Sequence, residues 1–159
     1  MLRAGTAISA LVWLLLFGGF AWMVDAALNP NKAEVLGAGE TVTLQRDPTG
    51  HYRAEAWING VKAEVLVDTG ATGVAISQAL ADRLGLSSHL AVATSTANGQ
   101  AVSYLIRLDS VKLGGIEARD VSASITPGLQ GEALLGMSFL GRMDIRLYKG
   151  TMTIRPATG

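Results

Sequence analysis

Two seven-residue runs, Tyr52–Ile58 and Val61–Val67, alternate along their length on either side of Asn59-Gly60, and the second runs straight into Asp68-Thr69-Gly70-Ala71. Strands separated by Asn-Gly are the strongest short-range hairpin signal, because both central positions of the favoured turn need positive φ. The chain must therefore double back tightly here and deliver Asp68 at the end of a strand. An ionised carboxylate leaving an apolar run is costly unless it is paired or hydrogen-bonded. Groups kept at that cost often do chemistry. Taken alone, Asp68-Thr69-Gly70 is also compatible with an ordinary Asx-type turn closing a strand.

The remainder reads as β-structure as far as the C-terminus. Residues 41–44 alternate, and 73–76 continue as a strand beyond the Asp68 loop. Residues 77–84 read as a short helix, with Ser77 suited to its N-cap and Gly85 to its C-terminal stop. Residues 92–103, rich in small and hydroxyl side chains, surround Asn98-Gly99, a second hairpin signal. Residues 104–108 and 111–113 read as a further strand pair, Gly114-Gly115 as a turn, and 121–125 as another alternating run. Residues 143–148 and 151–154 join at Lys149-Gly150. The expectation is an all-β domain over residues 41–159 with one or two short helices.

Ahead of that domain, residues 4–24 contain no charge. As a helix they span about 31 Å, close to the ~30 Å hydrocarbon core of a bilayer. Trp22 falls near one interface, where indoles are favoured, and Arg3 flanks the other end. This pattern predicts a transmembrane anchor over residues 1–24, with a cytoplasmic N-terminus, the following domain periplasmic or extracytoplasmic, and the inner (plasma) membrane as its site. A cleaved signal peptide is the competing reading, with Val24-Asp25-Ala26 as the cleavage region. Residues 25–40, broken by Asn29-Pro30-Asn31 and Gly37-Ala38-Gly39, read as a linker.

Several chemistries are disfavoured. Thirteen basic and thirteen acidic residues cancel, so there is no electrostatic footprint for nucleic acid. The chain has no cysteine, which removes thiolate metal sites and thiol nucleophiles. Its two histidines, His51 and His89, lie among turn and loop residues, where exposure is the default. No metal site and no cofactor is expected. Gly136-Met137-Ser138-Phe139-Leu140 narrowly misses the nucleophile elbow, and no phosphate-binding loop is present.

About 65 residues after Asp68 stands Ala133-Leu134-Leu135-Gly136-Met137-Ser138-Phe139-Leu140. Asp-Thr-Gly-Ala followed at this distance by an apolar-apolar-Gly strand resembles the retropepsin-like aspartic proteases, most closely their membrane-anchored single-domain members. The resemblance runs from roughly residue 42 to 154. It implies a closed, acid-protease-type β-barrel and peptide-bond hydrolysis. Asp68 would be the catalytic carboxylate, and Leu134, Leu135 and Gly136 would form a strand packed behind its loop, supporting rather than reacting.

Such an enzyme needs two carboxylates sharing one proton, one serving as base and the other as acid. This chain holds a single Asp-Thr-Gly, since Asp47-Pro48-Thr49-Gly50 reads better as a β-turn and Asp109-Ser110-Val111 lacks the glycine. The resemblance thus implies a homodimer, with one Asp68 from each copy at a two-fold axis. Gly70 would let the backbone approach, adopt a conformation costly for other residues and give its N–H to the carboxylate. Thr69 would bond across to the second copy, and Ala71 would leave room for substrate. Many relatives carry aspartate where Thr72 stands, so anchoring of substrate backbone there is open. Ala97, Asn98, Gly99 and Gln100 would form the tip of a flap closing over an extended peptide or protein substrate. The alternative is a membrane-anchored domain of the same fold that binds peptides or proteins without cleaving them.

Overall fold

The computed structural model describes residues 4–28, 39–96 and 99–157. It opens with helix α1 (Ala4–Leu28). Ile8–Leu28 is long and apolar enough to cross a membrane, and none of its most apolar stretch is buried. The helix runs one turn into the segment expected as linker. Ala26, Ala27 and Leu28 are strong helix formers, and the break supplied by Asn29-Pro30 comes only after them. Residues 29–38 of that expected linker lie outside the described residues.

Ten strands follow. β2 (Tyr52–Ile58) and β3 (Val61–Val67) pair antiparallel from Tyr52↔Val67 to Ile58↔Val61. Asn59 (φ 47°) and Gly60 (φ 80°) occupy the tight turn, as the Asn-Gly pair demands. The sheet continues through β8 (Ala133–Leu135), β4 (Val74–Ile76), β7 (Ile116–Ile125), β6 (Gly99–Leu113) and β5 (Ala91–Thr96). The far end of β6 returns to β2, pairing Ala56 with Leu113 and Ile58 with Val111. That return closes β2-β3-β8-β4-β7-β6 into a barrel. A separate three-stranded sheet orders β1 (Val42–Gln45), β10 (Thr151–Pro156) and β9 (Met143–Tyr148).

Inward-facing residues of both sheets build one core, including Val42, Leu44, Ala56, Ile58, Val65, Leu108, Leu113, Leu135, Met152 and Ile154. Two short helices complete the domain. In α2 (Gln78–Leu84) the Ser77 hydroxyl accepts the Leu80 N–H at 3.2 Å, and Gly85 closes the helix at φ 65°. α3 (Met137–Leu140) buries Phe139 and Leu140.

One expected turn is absent. Residues 104–108 and 111–113 belong to a single fifteen-residue strand, β6, and not to a strand pair. The reason is a slip in side-chain phase. Leu108 and Val111 are both buried with Asp109-Ser110 between them, and opposite, Ala118 and Val121 are buried around Arg119-Asp120. Both strands slip together: the pairing passes from Leu108↔Val121 to Ser110↔Arg119 and skips Asp109 and Asp120, the latter at φ 56°. Asn59 fills the gap, its Oδ1 accepting the Ser110 N–H at 3.0 Å while its own N–H bonds the Ser110 carbonyl at 2.9 Å.

Candidate active site

β3 carries Asp68 out of the core. Val65 and Val67 are buried, Asp68 is half-buried, and Thr69 and Gly70 are exposed. β8 runs parallel to β3, with Leu66↔Leu134 and Val67↔Leu135 in register. The ladder continues one step further, the Asp68 N–H donating to the Leu135 carbonyl at 3.1 Å. Thus Leu134 and Leu135 lie directly beside the strand that delivers the carboxylate.

The loop then folds back on that carboxylate. The Gly70 N–H donates to Asp68 Oδ1 at 2.8 Å, and the Ala71 N–H bonds the Asp68 carbonyl at 3.3 Å. Gly70 does not take positive φ, contrary to the expectation of a special backbone conformation. Its requirement is space: a Cβ there would sit 3.1 Å from Asp68 Oδ1. Below the loop, the Met137 N–H donates to Ala71 O at 2.8 Å and the Ser138 N–H to Thr72 O at 3.1 Å. Gly136 is buried between β8 and α3, with backbone packed against the position a side chain would fill. The arrangement presents one oriented carboxylate, held by an N–H from its own loop and backed by an apolar strand.

Against this geometry, the family model described as "gag-polyprotein putative aspartyl protease" matches residues 54–142. The chain belongs to the retropepsin-like aspartic protease family. Its fold is similar to a crystal structure of a retropepsin-like aspartic protease from Rickettsia conorii, with TM-score 0.63 and 29% identity over 75% of this chain and 93% of that one. An uncharacterised protein from a Sinorhizobium species, in the region 5′ of cobV, is 32% identical over 145 residues, 87% of this chain. An uncharacterised protein of Rickettsia prowazekii (strain Madrid E) is 30% identical over 145 residues, 84% of this chain. The chain spans about 62% of the length of these two relatives.

In this retropepsin-like domain, β5 and β6 form a hairpin paired from Ala91↔Tyr104 to Thr96↔Gly99, with Gly99 at φ 107°. Gln100 is exposed opposite Ser95. Ala97 and Asn98, the other two residues named for a flap tip, lie outside the described residues. β7 ends at Ile125 opposite Tyr104, so residues 99–103 of β6 pair only with β5 and the hairpin extends as a two-stranded ribbon. His51 and His89 are exposed, and no cluster of metal-ligating side chains occurs among the described residues.

Two residues near the loop escaped sequence reasoning. Ser138 Oγ accepts the Val74 N–H at 2.9 Å and donates to the Ser122 carbonyl at 2.8 Å, tying α3 to β4 and β7. Glu132, just ahead of β8, accepts the Glu64 N–H at 2.6 Å and is ion-paired with Arg83, whose other nitrogen donates to Lys62 O at 3.0 Å. Burial alone would raise the Glu132 pKa. The Glu64 N–H and the Arg83 guanidinium outweigh it and hold the group below its ordinary value. Glu132 thereby extends the β3–β8 contact by a side-chain bond at the point where β8 begins.

Proposed function

We propose that the chain is an aspartic endopeptidase, tethered to the membrane by residues 1–24 and the linker 25–40, with its protease domain over 41–159. The observation that carries this reading is the Asp68 loop. Its carboxylate is oriented by the Gly70 N–H at 2.8 Å and backed by Leu134-Leu135-Gly136, in a chain of the retropepsin-like family. One Asp68 per chain supports a homodimeric site in which two carboxylates hold a single proton. The ionised one takes a proton from a water molecule as it attacks the scissile carbonyl, and the protonated one polarises that carbonyl. Thr69, Gly70, Ala71 and Thr72 would frame the dyad, and the β5–β6 ribbon would cover an extended peptide or protein substrate.

A surface for the second copy is available in β9. It is an edge strand of its sheet, and Leu147 and Tyr148 on it are 53% and 59% exposed. Antiparallel addition of the same strand from a second copy would join the two sheets about a two-fold axis. Arg3 ahead of the apolar helix favours a cytoplasmic N-terminus, an inner-membrane span and a periplasmic or extracytoplasmic domain. The test is a peptide-library digest with the full chain and with Asp68→Asn. Pepstatin-sensitive cleavage should vanish in the variant. Cleavage at the parent rate would reject the assignment, as would a strictly monomeric state in sedimentation of an active preparation.

A further inference from the structure

Among the described residues, three polar side chains are buried: Asp47, Ser103 and Thr126. Asp47 belongs to the turn ahead of β2. The other two meet at the root of the β5–β6 ribbon, where Ser103 Oγ lies 2.9 Å from Thr126 Oγ1 and 2.8 Å from Thr94 Oγ1. Each hydroxyl has one hydrogen to give. The Thr94 hydroxyl donates to the Ala101 carbonyl at 3.2 Å, so Ser103 must donate to Thr94, and Thr126 to Ser103. Ser124 Oγ, 3.4 Å from Thr126 Oγ1, then donates into the start of the chain. The hydrogens pass in order from Ser124 to Thr126, Ser103 and Thr94, and the last ends on the Ala101 carbonyl of β6.

The position of this relay gives it a mechanical role. Thr126 is also held by its backbone, its N–H donating to Ile76 O at 2.9 Å. Ile76 ends β4, the strand that leaves the Asp68 loop. On the other side, Ser103 is the last β6 residue before the strand gains β7 as a partner at Tyr104. The hydroxyls therefore sit on the line about which the ribbon would swing. Ser103 is completely buried, so breaking the relay strands hydroxyls without water to replace their partners.

We propose that Thr126, Ser103 and Thr94 form a hinge latch. They are positioning residues that fix the angle of the β5–β6 ribbon to β4, and through β4 to the Asp68 loop, so that an extended peptide meets a preset cover. The latch concerns the ribbon itself, and its effect on cleavage rests on the endopeptidase reading above.

Peptide-resolved hydrogen–deuterium exchange on the full chain in detergent tests it. Thr126→Val removes the hydroxyl at nearly constant shape, and Thr126→Ser keeps the hydroxyl while dropping the methyl. In Thr126→Val and Ser103→Ala, ribbon amides within 91–103 should exchange about five- to tenfold faster, with β3 and β8 unchanged and Thr126→Ser matching the parent chain. Thr94→Val, farther out on the ribbon, gives the same readout should a buried substitution prevent folding. Unchanged ribbon exchange overturns the latch. So does equal acceleration in β3 and β8, or a Thr126→Ser chain as fast as Thr126→Val. Peptide cleavage run in parallel should show KM raised several-fold by Thr126→Val, with kcat altered less. If no chain cleaves, parent included, the endopeptidase reading falls while the exchange data still decide the latch.

Discussion

Gly136 and Ala71 pack backbone to backbone: a Cβ on Gly136 would fall 2.6 Å from the Ala71 carbonyl oxygen and would overlap that of Gly73 as well. Both obstacles are main chain and belong to the loop after Asp68, so neither can rotate aside. Gly136→Ala is expected to cost about 3 kcal/mol by forcing the loop off β8. Urea denaturation measures it, and a midpoint equal to the parent's would contradict this packing.

Ser138 supplies the acceptor for the Val74 N–H, 64 residues away in sequence. Ser138→Ala leaves that partly buried donor without its partner and should cost about 1–2 kcal/mol. The local signature is faster exchange of the Val74 amide, and a Val74 amide as protected as before would refute the assignment.

Asp47 accepts from Thr49 N at 2.8 Å, Thr49 Oγ1 at 2.6 Å and His51 N at 2.9 Å, with Arg53 at 3.2 Å. Burial pushes its pKa up, but these donors and the guanidinium prevail and hold it below the ordinary 3.8. A lowered folded-state pKa means that the stabilisation is present above the ordinary value and fades as pH falls through the folded one. Asp47→Asn should therefore destabilise the domain by about 1–3 kcal/mol at neutral pH, with the difference shrinking as pH drops below 3.8. Thermal melts of both chains across pH check this, and a gap that widens in acid would reverse the sign.

Leu147 lies on the free edge of β9, 53% exposed. With β9 as the proposed dimer seam, Leu147→Asp places like charges from two copies near one axis. The dimer should weaken at least tenfold while the monomer keeps its melting behaviour. Equal sedimentation profiles for parent and variant would move the seam elsewhere.

The β2–β3 hairpin was legible because its alternation and its turn residues agree, and the same agreement exposed α2 through Ser77 and Gly85. β6 was misread as two strands because a shared phase slip with β7 mimics a turn when only one strand is visible. Gly70 was marked for close approach and for a costly conformation; a Cβ there would crowd Asp68, in keeping with the first, and positive φ is not part of it. Glu132 carries no local signature at all. Its partner N–H on Glu64 is 68 residues away, and only the parallel pairing of β3 with β8 brings them together.

Closure of the barrel by the β2–β6 pairing has a further effect. A ring of strands offers no spare row of amides and carbonyls to a passing chain, which protects it from templated clumping. Among the described residues, backbone left open for an extra strand includes the edges of the three-stranded sheet, the ribbon strand β5 and the β6 stretch 99–103, which pairs only with β5. Recruitment of any extended visitor, whether a sister molecule or a peptide, is thereby channelled to the periphery, and the architecture itself keeps those encounters few.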